Sequence, residues 1–327
     1  MKQKKIGDCS IILISHERPI FLKKNYKFYK KFFHNIIVLD SSVKKNNFFT
    51  NKKEYQHCNK LNIIQKVALG FKKSKTKFTI ISPDDDFLFP GSIIKGINFL
   101  KKNKKFISVS GKYYWFEKVG PFKKFSLMYK NGYYDVNQQT PLERLKIFCK
   151  NPLSQMTYNL FRTKEIYNCL KNFKNLKQAS FLEDVLILSP TILGKHKFLN
   201  INWMLRDGAV NTSYFNSNNQ TELFNIKKIT SDKKNDNSGK TLDNFIELYI
   251  KFIKKNNIEI KKKTIEKLIK VFYLQSRHPE RGVVIDNSLM KLIKIIYKFF
   301  SYNIFYYRYL FYFTKEEKKY SKIFFKI

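Results

Sequence analysis

Short apolar segments alternate with amphipathic segments along the first third of the chain, and this alternation limits the folds that the chain can adopt. Four apolar runs have the length of a buried strand: residues 9–15, 35–39, 78–82 and 106–110. Helical patterns at 20–33, 61–71 and 91–100 separate these runs. Strands joined by helices of this length form βαβ units. The sequence therefore predicts an α/β fold with a mostly parallel sheet flanked by helices.

The middle of the chain has weaker periodicity. Residues 117–139 are rich in Gly, Lys, Tyr and Phe, which predicts a long loop or a hairpin near the carboxyl ends of the strands. The remaining predicted elements before residue 216 are helices at 142–150, 163–170 and 181–188 and a late strand at 197–205.

The last third of the chain predicts helices only. Polar residues dominate 216–240 and indicate a mobile loop or a linker. Helical patterns follow at 242–253, 260–274 and 289–313. We therefore expect two parts: a catalytic domain at 1–240 and a basic, aromatic helical appendage at 241–327.

The chain is strongly basic. It carries 64 Lys+Arg against 25 Asp+Glu, a formal net charge of +39. Such a charge favours anionic partners, although AT-rich coding also enriches Lys. The segment 289–313 mixes Ile and Phe with Lys291, Lys294, Lys298 and Arg308, which suits either an interfacial helix on an anionic membrane or a helix packed on the catalytic domain.

Location in the cell is also constrained by the sequence. The four cysteines form no C-x-x-C pair and predict reduced thiols, and the basic N-terminus precedes an apolar run too short for an export signal. We expect a cytoplasmic protein, or a peripheral one on the inner face of the cytoplasmic membrane.

Three consecutive carboxylates follow the third predicted strand. Asp84, Asp85 and Asp86 stand directly after the apolar run and before Phe87. Carboxylate oxygens are hard ligands suited to Mg²⁺ or Mn²⁺, ions that usually retain waters and bridge to substrate phosphates. The spacing of Asp84 and Asp86 therefore predicts a metal site that holds a diphosphate, although an Asp-rich turn can carry the same letters by chance.

Two further groups of residues are candidates for the same site. Glu183 and Asp184 begin an apolar helix, where acids are also common as partners of the helix dipole. Together with a metal, such a carboxylate can serve as the base that activates a hydroxyl. Ser15, Arg18 and Asp40 follow the first two predicted strands, where a parallel sheet places its ligands.

The order of these motifs resembles that of the GT-A nucleotide-diphospho-sugar glycosyltransferases, and among them the family-2-like bacterial enzymes. The resemblance covers about residues 8–210 and rests on four segments in sequence: SIILISHERP from Ser10, IVLDSS from Ile37, IISPDDDF from Ile80 and FLEDV from Phe181. It implies a Rossmann-like GT-A domain that transfers a sugar from a nucleotide sugar, such as a UDP or GDP sugar, to a hydroxyl of a glycan or lipid-linked acceptor. It also implies Mg²⁺ or Mn²⁺ and inversion at the anomeric carbon.

The resemblance assigns a role to each matching residue. Asp40 would face the nucleotide base, and Asp84 and Asp86 would be the D-x-D pair, with Asp86 preferred as the direct metal ligand. Asp184 would be the catalytic base, with Glu183 supporting it or orienting the acceptor. Apart from these transferred roles, we expect the donor to be bound also by Ser15, Arg18, Lys66, Asp84, Asp85 and Arg206, and the fork of Arg206 suits a bidentate contact to the diphosphate.

The chain departs from the family pattern at two places, and two other functions stay open. The turn after the first strand, Ser15 to Arg18, differs from the Pro-Thr-x-Asn-Arg form, and no late His clearly completes the metal shell, since His196 precedes the late strand. One alternative is a metal-dependent nuclease or other phosphoryl-transfer enzyme, which would use the same carboxylates, although no nucleic-acid-binding motif is present. The other is a non-enzymatic basic protein on a membrane surface.

Overall fold

The computed structural model describes residues 5–119, 122–128, 133–152, 157–176, 180–207, 237–276 and 313–326. Most of the predicted linker 216–240 lies outside these residues. The predicted basic helix 289–313 also lies outside them, apart from Phe313.

Nine strands form one sheet. In chain order they are β1 Ile6–Ser15, β2 Phe33–Asp40, β3 Tyr55–His57, β4 Phe78–Pro83, β5 Phe87–Leu88, β6 Phe106–Val119, β7 Phe122–Leu127, β8 Leu160–Arg162 and β9 Lys195–Asp207. Their spatial order is β3-β2-β1-β4-β8-β6-β9-β5, and β7 pairs with β6.

Helices cover the sheet and continue beyond it. They are α1 Pro19–Tyr29, α2 Ile63–Lys73, α3 Pro90–Lys102, α4 Pro141–Lys150, α5 Thr163–Phe173, α6 Ser180–Leu193, α7 Asn237–Lys255, α8 Lys262–Ser276 and α9 Lys315–Lys326. Capping explains several of their starts. Asn62 forms a reciprocal capping box with Gln65 at α2, Thr140 forms one with Glu143 at α4, and proline occupies the first turn of α1, α3 and α4.

The α/β fold class is confirmed, and the sheet itself is mixed. Strands β3, β2, β1 and β4 run parallel, and β6 runs parallel to β9. The short strand β8 lies between β4 and β6 and is antiparallel to both. The two parallel groups are therefore joined through one antiparallel insertion.

The central strands are buried on both faces. Ile11 and Leu13 belong to a hydrophobic cluster under α1 and α3, whereas Ile12 belongs to the opposite cluster under α2, α5 and α6. Alternate residues of one apolar run thus fill two cores, as expected for a sheet covered by helices on both sides.

The boundaries of several predicted elements differ from those of the structure. The predicted helix 20–33 ends at Tyr29, because Phe33 already begins β2. Of the two predictions for residues 117–139, a long loop or a hairpin, the structure contains a hairpin: β6 extends to Val119 and pairs antiparallel with β7. Strands β3, β5 and β8 have two or three residues each, too few for a periodic pattern.

The C-terminal helices α7 and α8 share the core of the sheet. Phe245 and Tyr249 of α7 and Ile269 and Phe272 of α8 are buried in the same hydrophobic cluster as Ile12 of β1. The predicted division at residue 240 stays a prediction, but α7 and α8 pack on the α/β part. No helix among the described residues is long and apolar enough to cross a membrane.

A close approach between β6 and β9 gives the first testable prediction. A Cβ at Gly111 would lie 2.5 Å from the backbone oxygen of Ile201, which a side chain cannot do without moving the strand. We expect Gly111→Ala to lower the free energy of unfolding by about 1–3 kcal/mol through overpacking. Urea denaturation measures this loss.

Gly7→Ala is the matched control on another strand of the sheet. A Cβ at Gly7 would meet only His34 Cδ2, at 3.9 Å, which is ordinary van der Waals contact. The two alanine variants should therefore differ clearly in urea midpoint. Equal midpoints would show that β6 and β9 are not in the register described here.

Candidate functional site

Three adjacent parallel strands end at the same edge of the sheet. Ser15 at the end of β1 is the register partner of Asp40 at the end of β2, and Ile14 is the partner of Pro83 at the end of β4. The next three residues, Asp84, Asp85 and Asp86, are here called the aspartate cluster. The structure thus brings the predicted donor-binding residues of three strands to one edge.

Asp84 is buried and fixed by two donors. Its side chain is 5% exposed; Ser15 Oγ donates to Oδ2 at 2.5 Å, and Arg18 Nη1 donates to Oδ1 at 3.1 Å. Burial raises the pKa of this carboxyl to about 6, against the opposing effects of Ser15 and Arg18. The two donors therefore only partly offset the cost of burying this carboxylate.

Arg18 joins the first and second carboxylates of the cluster. The same Nη1 atom donates to Asp85 Oδ2 at 2.5 Å, and the guanidinium lies 5.0 Å from the centroid of Phe21. The preceding residue, Glu17, has a φ of 56°, a left-handed conformation that is uncommon for glutamate. Its N–H donates to Ser42 Oγ at 2.8 Å, so the end of β2 fixes the turn that aims Arg18.

Asp86 connects β4 to the far end of β9. Arg206 Nε donates to Oδ2 at 3.0 Å, and the Asp207 N–H donates to Oδ1 at 3.2 Å. Burial raises the pKa of Asp86, and Arg206 lowers it. On the backbone side, Asn25 Nδ2 donates to the carbonyl oxygens of Pro83 and Asp86 at 2.8 and 3.0 Å, which fixes the turn between them.

Arg206 lies between two aromatic rings. Its guanidinium carbon is 5.4 Å from the centroid of Trp115 and 5.3 Å from that of Tyr158. Guanidinium groups are attracted to aromatic faces at this range, so the rings restrict where the cation can point. Neither ring was among the predicted site residues. Trp115 reaches Arg206 because β6 pairs with β9, and Tyr158 lies just before β8, so neither contact follows from a local motif.

Asp40 accepts hydrogen bonds on both carboxylate oxygens. Ser42 donates to Oδ1 through its backbone N–H at 2.9 Å and its hydroxyl at 2.5 Å, and Tyr55 Oη donates to Oδ2 at 2.9 Å. Tyr55 also stacks on Phe49, with the ring centroids 5.3 Å apart and an angle of 13° between the rings. Asp40 therefore fixes the turn after β2, and its predicted contact with a nucleotide base stays a prediction.

Lys66 brings a buried ammonium to the same edge. Its Nζ donates to the Ser15 carbonyl oxygen at 3.0 Å and to Ser41 Oγ at 2.7 Å. Burial lowers the pKa of Lys66 to about 8, opposed by Cys58, Asp40 and Asp84. The lysine is thus held between the ends of β1 and β2, close to the aspartate cluster.

The two acidic residues at the start of α6 have different surroundings. Glu183 is exposed, and its charge acts on the buried phenol of Tyr158 together with those of Arg206, Asp86 and Asp85. Asp184 is 4% exposed and accepts a hydrogen bond at Oδ2 from Tyr273 Oη of α8, at 2.5 Å.

His196 belongs to the interior of the sheet. It lies at the start of β9, with its ring nitrogens 2.9 and 3.1 Å from the hydroxyls of Ser108 and Ser110. Burial lowers its pKa to about 3. Arg206 is at the other end of the same strand, so His196 is not placed to join the aspartate cluster.

The carboxylate oxygens of the aspartate cluster are ligands of the kind that hard divalent cations prefer. Three adjacent carboxylates face two guanidinium groups, and the buried ammonium of Lys66 lies at the same edge. Within the described part of the chain, no three His, Cys, Asp or Glu side chains meet as a ready-made ligand set. Mg²⁺ does not require one, because it usually takes one or two carboxylates and completes its shell with water and substrate phosphates.

Comparison with known proteins gives matches to solved structures alone. No protein-family model and no curated protein matches the chain. S. aureus TarS 1-349 is similar at 12% identity, covering 85% of this chain and 76% of that one, with a TM-score of 0.47. The complex of TarS 1-349 with UDP-GlcNAc is also 12% identical; the match covers 81% of this chain and 71% of that one, with a TM-score of 0.49. The bifunctional IspDF from Campylobacter jejuni is 12% identical, and the match covers 59% of this chain and 49% of that one, with a TM-score of 0.31.

The ion pair between Arg206 and Asp86 gives the second prediction. Arg206→Met keeps the apolar stem between the rings but leaves a buried carboxylate without its cation. We expect the free energy of unfolding to fall by about 1–3 kcal/mol. This loss is smaller than for a fully buried ion pair, because Arg206 is partly exposed. In an Asp86→Asn background, the same change should cost less than about 1 kcal/mol, because the buried charge is gone.

Lys197→Met is the control for this double-mutant cycle. Lys197 is on the same strand and pairs with Asp135 at 2.7 Å, but both side chains are about one third exposed. Its loss should cost about 0–1 kcal/mol. A cost for Arg206→Met no larger than this, or unchanged by Asp86→Asn, would contradict the buried ion pair.

Proposed function

We propose that the chain is a GT-A glycosyltransferase that moves a sugar from a nucleotide sugar to a hydroxyl group. One observation supports this more than any other: the ends of β1, β2 and β4 bring Ser15, Asp40 and the aspartate cluster to one edge of the sheet. Group transfer to a hydroxyl needs a site for the leaving diphosphate and a carboxylate base nearby. We assign the first role to the aspartate cluster and its cations, and the second to Asp184.

The donor would lie along the carboxyl ends of β1, β2 and β4, the usual ligand edge of a parallel sheet. Asp40 and the turn it fixes would face the base and ribose. Lys66, Arg18 and Arg206 are the cations of this edge, and their charges suit a diphosphate. Arg18 and Arg206 bind carboxylates in this state, so contact with phosphate would require them to share or exchange those partners.

In the proposed reaction, an acceptor hydroxyl oxygen forms a bond to the anomeric carbon. The bond between that carbon and the phosphate oxygen breaks, and its electron pair leaves with the nucleoside diphosphate. Asp184 takes the hydroxyl proton, and Glu183, which is exposed, orients the acceptor. Attack from the face opposite the leaving group would invert the anomeric configuration.

Mg²⁺ or Mn²⁺ is the proposed cofactor, held by Asp84 and Asp86 together with the donor phosphates. When bound, the ion offsets the negative charge that develops on the leaving diphosphate. The two carboxylates at the end of β4 are held in fixed orientations by Ser15, Arg18 and Arg206.

The acceptor and the place of action belong to the same proposal. We propose a glycan or lipid-linked acceptor and a cytoplasmic or peripheral membrane location, because the net charge of +39 favours an anionic surface. The segment that would bind lipid, 289–313, is outside the described residues.

A thermal-shift panel tests the donor class and the metal together. The ligands are UDP, GDP, UDP-GlcNAc and GDP-mannose, each with and without Mn²⁺. A ligand at 100 times its Kd stabilises the folded state by about 2.7 kcal/mol, which corresponds to a rise in Tm of roughly 5 °C. We expect such a rise for one nucleotide with Mn²⁺, and its loss after addition of EDTA.

The control pair separates the aspartate cluster from general charge effects. Asp84→Asn with Asp86→Asn should abolish the Mn²⁺-dependent rise, whereas Asp135→Asn at the exposed pair with Lys197 should leave it unchanged. Stabilisation by DNA with metal-dependent cleavage would favour the phosphoryl-transfer alternative. No rise with any nucleotide or metal would favour a non-enzymatic protein.

Substitution of the two acids of α6 tests the catalytic assignment. Asp184→Asn should lower kcat for hydrolysis of the responding nucleotide sugar by about 100- to 10,000-fold, the usual contribution of a general base. The nucleotide should bind as in the wild type. Glu183→Gln should reduce this kcat less, because its proposed role is to orient a glycan acceptor and the assay contains none; the reverse order would assign the base to Glu183.

A further inference from the structure

The C-terminal helix α8 reaches the proposed catalytic base. Tyr273 is buried at 3% exposure, and its Oη donates to Asp184 Oδ2 at 2.5 Å. The two residues are 89 positions apart in sequence and on different helices. The hydrogen bond therefore exists only when α8 packs against α6.

The phenol of Tyr273 is held in place by aromatic contacts on several elements. Its ring meets Phe272 edge-on at 5.2 Å and Phe245 of α7 at 6.3 Å. Phe245 in turn stacks on Phe181 of α6 at 5.0 Å with an angle of 7° between the rings. A buried tyrosine has two side-chain torsions to fix, so this packing sets the position of its hydroxyl at low entropic cost.

A short hydrogen bond to a carboxylate does more than stabilise the fold. Bonds of 2.5–2.7 Å between a hydroxyl and a carboxylate are among the strong charge-assisted ones, and they fix the plane of the acceptor. A general base works best when a further group orients it toward the proton it takes. Tyr273 supplies that contact from the side of α8.

We propose that Tyr273 is a positioning residue for Asp184, so that helix α8 is part of the catalytic apparatus. This inference rests on the proposed function, because it assigns Asp184 as the base. Tyr273 itself does not contact the substrate. It acts by holding one carboxylate oxygen so that the carboxylate keeps the orientation in which it receives the acceptor proton.

The chain offers a matched control in Tyr249. This residue is buried on α7, and its Oη donates to the Leu188 carbonyl oxygen of α6 at 3.0 Å. Tyr249→Phe and Tyr273→Phe therefore remove the same hydroxyl from the same interface with α6. Only Tyr273→Phe removes a bond to the carboxylate.

The test is hydrolysis of UDP-GlcNAc, UDP-glucose and GDP-mannose with Mn²⁺, using for every variant the sugar nucleotide that the wild type hydrolyses fastest. Single-turnover conditions with excess enzyme keep slow variants measurable. We expect Tyr273→Phe to lower kcat by roughly 10- to 100-fold, because misplacement of a catalytic group by about 1 Å can have this effect. KM for the donor should stay unchanged. Tyr249→Phe should change kcat by about 2-fold or less.

A double-mutant cycle distinguishes positioning from a general loss of stability. If Tyr273 acts through Asp184, Tyr273→Phe should change the rate by about 2-fold or less when Asp184 is already Asn. A purely structural role would give the same loss in both backgrounds, and Tyr249→Phe would then resemble Tyr273→Phe. Either of these results overturns the inference.

Failure of the proposed function gives a different result from failure of this inference. Wild-type rates for Asp184→Asn, or no hydrolysis of any sugar nucleotide by the wild type, would remove the assigned base and with it the role of Tyr273. A slow Asp184→Asn variant together with a fast Tyr273→Phe variant would overturn the role of Tyr273 alone.

Discussion

Three carboxylates at the end of a buried strand need positive charge close by, and the chain supplies it from two distant segments. Arg18 comes from the turn after β1, and Arg206 comes from the end of β9, more than a hundred residues after the aspartate cluster. Removing a carboxylate from water is costly unless a cation and further hydrogen bonds are in place. The aspartate cluster therefore forces the ends of β1, β4 and β9 together. The rest of the site is arranged around this meeting point.

The second acidic pair depends on a different part of the fold. Asp184 accepts a hydrogen bond from Tyr273, and the ring of Tyr273 is held by the aromatic contacts between α6, α7 and α8. The hydrophobic cluster under α2, α5 and α6 thus continues into the C-terminal helices. A sequence division at residue 240 separates regions of different composition, but it crosses this cluster. Composition reports solvent exposure and charge, whereas a shared core depends on which faces pack together.

The predictable parts of the fold were those determined by long local patterns. The apolar runs of β1, β2 and β4 are five or more residues long, and the polar residues that follow them are the ones that meet at the edge of the sheet. Strand β8, at Leu160–Arg162, has three residues and no period, so its antiparallel insertion could not be predicted. The ion pair between Arg206 and Asp86 could not be predicted either, because it joins residues 120 positions apart, and the predicted contact of Arg206 with a diphosphate stays a prediction. No sequence motif pointed to Tyr158 or Tyr273 as part of the site, because their roles arise from tertiary packing alone.

The charge balance at the cluster explains why the proposed donor and ion belong together. Three carboxylates face two guanidinium groups, and the buried ammonium of Lys66 lies at the same edge, so these charges nearly balance. The proposed diphosphate would add about two negative charges. The proposed divalent cation would offset that excess, because such ions need no full protein cage and complete their shell with water and substrate phosphates. Without the diphosphate, the same cation would compete with Arg18 and Arg206 for oxygens that are already hydrogen-bonded. The arginines thus hold the carboxylates in place, and the proposed donor would give them an alternative anionic partner.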